Sequence, residues 1–214
     1  MQNNCIDIEN IRELKYLYWC AMFLHTFGDF RQNTQKVIVF IYRTNILNMT
    51  KRNNEKRKNA LNKRSDIETL EFQTQWGLKK LLGNTYYTYT ACIEAELHFI
   101  IELNLYEDLL SIKEFVDDVR GALGVEPEPE SGDFCHSLAA MALGIGKTND
   151  ICNFDEPTDW QALLEKKILS IYYTAETRNK VFEYAKTKNY NISTYLGQPI
   201  VKFCRLYIKL ERKR

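Results

Sequence analysis

Apolar residues recur at helical spacing along most of this chain. From Trp160 the series Leu163, Leu164, Ile168, Ile171 and Tyr172 advances by threes and fours, as one face of a helix does. The same spacing links Ile67, Leu70, Thr74, Leu78 and Leu81, and again Ile112, Phe115, Val116, Val119 and Leu123. Each series begins at a Ser or Thr with Glu or Gln three residues on: Ser65-Asp66-Ile67-Glu68, Ser111-Ile112-Lys113-Glu114 and Thr158-Asp159-Trp160-Gln161. In such a capping box the hydroxyl accepts from a backbone N–H three residues on, and the longer side chain reaches back. The pattern therefore predicts helix starts at 65, 111 and 158, with Gly124 as the stop of the second helix.

Other segments follow suit. Residues 8–27 carry Ile11, Leu14, Leu17, Tyr18, Ala21 and Leu24, ending near Gly28. Residues 86–110 read as one long helix or two. The run "DFCHSLAAMALGIG" sets Phe134, Leu138, Met141 and Ile145 on one face. Pro199, a favoured first-turn residue, predicts a last helix with Ile200, Phe203, Cys204 and Tyr207 inward. "KVIVFIY" alone has the β-branched and aromatic character of a strand. A lone strand cannot make a sheet, so it too is assigned to helix. The expectation is an all-α fold, with roughly eight helices packed as one irregular bundle domain over residues 1–214.

Composition supports helices. The 214 residues include only 9 Gly and 4 Pro, too few for a turn-rich β sandwich. A chain of this length buries a core without disulfides or metal. "MQNNCIDIEN" lacks the basic start and apolar run of an export signal, and no window approaches the ~18 apolar residues of a membrane span. The expected setting is cytoplasmic, with no membrane partner. Cys5, Cys20, Cys92, Cys135, Cys152 and Cys204 form no C-x-x-C and are expected as reduced apolar fillers.

Charge adds a second layer. The formal net charge is only +1, yet the signs are segregated. Residues 50–64, read as a mobile loop or an exposed helix, hold Lys51, Arg52, Lys56, Arg57, Lys58, Lys63 and Arg64 against Glu55 alone. The tail "RLYIKLERKR" ends in Arg212, Lys213 and Arg214. Between Glu102 and Asp133 acids dominate, and residues 124–132 form an acidic, Pro-rich connector. Clustered Lys and Arg suit phosphate backbones, where each contact releases counterions. They equally suit an acidic protein surface or a second copy. The basic stretch lacks interleaved aromatics, so it offers no stacking platform for single strands.

Catalytic signals are sparse. Gly146-Lys147-Thr148 ends like a phosphate loop, but the required first glycine is Met141 and a helix precedes it, not a strand. The stretch is read instead as a glycine helix stop, with Lys147 beside the negative end of the dipole. Cys135 and His136 are neighbours that point about 100° apart on a helix, which makes no dyad. Glu94, His98 and Glu102 share one helix face. Asp133 with His136, and Glu114 with Asp117, pair at i, i+3. Such helices can converge metal ligands.

Glu68-Thr69-Leu70-Glu71, followed by Glu114-Phe115-Val116-Asp117 or Glu130-Ser131-Gly132-Asp133, resembles the paired carboxylates of the all-α nucleoside triphosphate pyrophosphatases of the MazG and dimeric dUTPase group. That resemblance implies magnesium held on substrate phosphates by Glu68, Glu71, Glu114, Asp117, Glu130 and Asp133. The leading expectation has no cofactor and no catalytic residue: a helical protein acting by contact, in an assembly or on nucleic acid, through segment 51–64 and the basic C-terminus. The magnesium-dependent pyrophosphatase is the alternative.

Overall fold

The computed structural model describes residues 31–148, 154 and 157–212; over 31–43 and at 45 and 46 it describes backbone alone. The helix expected over 8–27 lies outside these residues. The chain divides into two units, residues 1–61 and 62–214.

The described part of the first unit is helical. It belongs to α1, Arg31–Leu82, which continues into the second unit. Over these 52 residues there is no proline and only one glycine, Gly77, so nothing interrupts the hydrogen-bond ladder. "KVIVFIY" is helix, and so is the whole basic stretch 51–64. The Ser65 box caps nothing, because it sits inside α1. There Thr69 Oγ1 donates back to the Ser65 carbonyl at 2.8 Å.

In the second unit, Leu70, Thr74 and Leu78 bury one face of α1. Gly83, at φ 56°, ends it, and a 3-10 run over Gly83–Tyr89 leads to α2, Thr90–Glu102. Helix α3, Tyr106–Leu123, buries Leu109, Ile112, Phe115, Val116 and Val119. Gly124 closes it in the left-handed conformation, φ 64°. Ser111 lies inside α3, so the start expected there falls five residues earlier. The run 133–146 is helical only over α4, Leu138–Ala142, capped by Ser137. Asp159 caps α5, Trp160–Lys166, by accepting from Ala162 N–H at 3.0 Å. Thr158 instead donates to the His136 carbonyl.

The all-α bundle is wrong, because a four-stranded mixed sheet follows α5. Lys167, at φ 59°, stops the helix, and Ile168–Tyr173 continues as β1. Its burial alternates, with Leu169, Ile171 and Tyr173 inward. Helix α6, Ala175–Thr187, is followed by β2, Ile192–Tyr195, β3, Gln198–Lys202, and β4, Tyr207–Arg212. The last helix expected from Pro199 is therefore two strands. Pro199 instead pairs with Thr194 across the hairpin.

The strand order is β1-β4-β3-β2. β4 lies parallel to β1, with Ile171 opposite Leu210, and antiparallel to β3, with Val201 opposite Ile208. Leu196 and Gly197, at φ 47° and 72°, make the two-residue turn between β2 and β3. The 124–132 connector is tied to β1: Glu128 N–H donates to the Tyr172 carbonyl, and the adjoining Asp133 N–H donates to Ser170. It covers the strand edge that β4 leaves free.

The core gathers Phe115, Phe134, Trp160 and Tyr173, all fully buried. At Gly77 a Cβ would fall 1.7 Å from the Ala142 carbonyl oxygen, so only glycine lets α1 approach the end of α4 this closely.

Candidate functional site

Every residue from Lys51 to Ser65 is exposed. In the first unit Lys51, Arg52, Lys56, Arg57 and Lys58 make no ion pair or hydrogen bond among the described residues. The helix here is polar nearly all round, so it gains little from burial and carries its charge into solvent. Arg52 and Lys56 stand at i, i+4, where like charges repel. Lys51 and Glu55 are the only opposite pair at that spacing. An anion laid along this surface relieves the repulsion.

The other two bases of the stretch belong to the second unit and are engaged there. Lys63 Nζ donates to Asn104 Oδ1 at 2.8 Å and sits 5.6 Å from the centre of the Tyr106 ring. Arg64 pairs with Glu68 at 2.8 Å. In the basic tail, Arg212 is exposed at the end of β4, while Lys213 and Arg214 lie outside the described residues. Arg205 donates to the Leu103 carbonyl, and Lys209 pairs with Glu211.

Of the six carboxylates expected to hold magnesium, Glu68, Asp117 and Asp133 are engaged by other groups. Glu68 is bound to Arg64, and Glu71 is half-buried on α1. Glu114 is exposed on α3, where Asp117 is held by Lys113 and by Arg120. Glu130 is exposed at φ 54°. Asp133 takes Lys166 Nζ on one oxygen and Ser170 N–H on the other, both at 2.6 Å. Among the described residues, no three His, Cys, Asp or Glu side chains come together as a metal site. Glu94, His98 and Glu102 share an exposed face, and His98 is 3.8 Å from Glu102. Cys135 is buried against the Gly132 carbonyl, while His136 is exposed. Burial pushes the Cys135 thiol up, away from the thiolate a nucleophile needs.

Lys147, expected beside the negative end of a helix dipole, has a carboxylate partner. Its ammonium binds Glu126 at 2.7 Å, and that hydrogen bond holds the Glu126 carboxyl below the usual range. Gly144, at φ 75°, makes the turn after α4.

Two carboxylates that sequence patterning passed over are fully buried. Glu96 accepts from Ser137 Oγ at 2.8 Å, Leu138 N–H at 3.2 Å, Ala139 N–H at 2.9 Å and Thr158 N–H at 3.1 Å. Asp108 Oδ1 accepts from Arg205 and Leu206 N–H, tying α3 to the approach of β4. Both bind backbone amides of distant segments and serve the fold. The visible signal was position: Glu96 shares the buried face of α2 with Ile93, Leu97 and Ile100.

Among the described residues, no helix is long and apolar enough to cross a membrane. Compared with protein-family models, curated proteins and solved structures, the chain matches none of them.

Proposed function

We propose that this chain acts by contact, binding the phosphate backbone of nucleic acid through the basic surface of α1. The observation that carries this reading is the fully exposed run Lys51, Arg52, Lys56, Arg57 and Lys58, which has no partner among the described residues. Unpaired cations on a regular helix meet phosphates without first breaking internal ion pairs. A helix with its side chains is about 10–12 Å across, and the major groove of a DNA duplex is about 12 Å wide. Charges on several sides of such a helix reach both walls of the groove.

The test is anisotropy titration of a random-sequence DNA duplex over a range of salt. Five phosphate contacts give a slope of log affinity against log salt of about −4.5. The combined variant Lys56→Glu, Arg57→Glu, Lys58→Glu is expected to lose most of this binding with unchanged circular dichroism. Absence of duplex binding at low salt overturns the reading.

A protein contact is the second reading, favoured by an observation in the second unit. Phe72 and Trp76 lie one helical turn apart on α1 and are 68% and 65% exposed. Aromatic side chains of this size are enriched at protein interfaces. Sedimentation of a Phe72→Glu, Trp76→Glu variant checks it: a fall in assembly size supports the contact, and an unchanged monomer removes it.

A further inference from the structure

The basic run contains one residue that a simple polyanion binder does not need. Glu55 is the sole acid among seven bases between 51 and 64, and it is exposed. Although Lys51 stands four residues before it, Glu55 makes no ion pair among the described residues. Against a phosphate backbone its charge is repulsive, so a surface built only for backbone affinity gains nothing from it.

Its position on the helix gives it a use. At about 100° per residue, Asn48 and Asn59 fall within about 40° of Glu55, on one narrow stripe. Lys51 and Lys58 lie about 40–60° to one side of Glu55, and Arg52 and Lys56 about 60–100° to the other. All seven side chains are exposed and belong to the first unit. The stripe is thus one carboxylate and two amides, flanked on both sides by cations. It rises about 16 Å, the length of about five stacked base pairs.

Resting on the nucleic-acid reading above, we propose that Asn48, Glu55 and Asn59 read base edges in the major groove of a DNA duplex. Lys51 with Lys58, and Arg52 with Lys56, hold the two phosphate walls. The chemistry of the stripe matches what the groove displays. An Asn amide donates to adenine N7 and accepts from its N6 amino group, and a carboxylate accepts from cytosine N4. Glu55 meets a base amino group at the groove floor, while the flanking cations separate it from phosphate. A-form RNA has a deep, narrow major groove that side chains cannot read, so the fitting partner is duplex DNA.

The experiment uses the full chain and duplexes of about 20 base pairs with a randomised centre, roughly two helical turns. The selected population is expected to favour adenine and cytosine at fixed separations. In Asn59→Ala, preference at one adenine falls about tenfold, while binding to random duplex stays within about twofold. In Glu55→Ala, the cytosine preference disappears and random-duplex binding strengthens, because a repulsive charge is gone. A structural role for Glu55 does not produce that pair of opposite changes. If the chain binds random duplex yet no sequence is enriched, the stripe is refuted and the basic-helix reading stands. If both variants keep the wild-type preference, or if duplex RNA binds tighter than duplex DNA, the stripe is again refuted. If no duplex binds at low salt, both readings fall.

Discussion

At the scale of single residues, the second unit depends on buried polar groups that each bind backbone far away in sequence. Glu96→Ala leaves three amide donors and the Ser137 hydroxyl without their acceptor. Stability to urea is expected to fall by about 3–5 kcal/mol. Tyr173 is the opposite case. Its ring is fully buried in the core, and its hydroxyl finds no hydrogen-bond partner among the described residues. Tyr173→Phe removes that unmet polar group and is expected to raise stability by about 1 kcal/mol. Burial also pushes the phenol well above its usual range. A raised folded-state value favours the protonated form. Its contribution is therefore complete below the unfolded value of about 10 and is lost as pH rises beyond it. Urea midpoints measured between neutral pH and pH 11 are expected to fall, and Tyr173→Phe flattens the upper part of that fall. Little of this was legible beforehand. Glu96 was passed over although it shares an apolar face, and its partners at 137–139 and 158 are set by the fold.

At the scale of elements, what the sequence revealed depended on how local the controlling physics was. The helical face of α3 and its Gly124 stop were readable, because periodicity and a left-handed glycine act within a few residues. Helix α1 was readable over 37–42 and from 65 onward, with 50–64 left open between loop and helix, but not as a single element of 52 residues. The sheet was misread for reasons visible in two places. Ile168, Ile171 and Tyr172 happen to extend the spacing of α5, and only the reversal at Lys167 separates them from it. The alternation of Ile208 and Leu210 with Tyr207, Lys209 and Glu211 was the available strand signal, and Pro199 drew attention away from it. The hairpin was further hidden because its turn uses Leu196 where Asn or Asp is usual. Leu196 is 84% exposed, so its side chain contributes little packing in return for a left-handed backbone. Leu196→Asn is expected to stabilise the protein by about 0.5–1 kcal/mol, read as a higher thermal midpoint.

At the scale of the whole molecule, net charge is a poor guide to behaviour. A formal charge of +1 predicts weak interaction with any charged matrix. The basic run on α1 instead gathers five cations over eight residues, Lys51 to Lys58, all exposed. Exposed charges are screened beyond about 10 Å at 0.1 M salt, so acids further away than that do not cancel them. The protein is expected to bind a phosphate-bearing or heparin column near neutral pH. The Lys56→Glu, Arg57→Glu, Lys58→Glu variant should elute at markedly lower salt. This asymmetry was fully legible in the sequence, since charge counts need no fold. The helical state of the segment was left open, because its polar composition suits a loop as well as a solvated helix.

The placement of β4 has a consequence for how the second unit folds. It follows the other strands in sequence, yet it occupies an interior place in the sheet, between β1 and β3. The β2–β3 hairpin can form from neighbouring residues, whereas β1 gains its strand partner only after a long loop has closed. Until then Leu169, Ile171 and Tyr173 have no neighbour across the ladder. Pulsed hydrogen exchange during refolding should therefore find the amides paired between β1 and β4 protected last. A slow-folding population would expose an apolar strand edge, with aggregation competing against closure of the sheet.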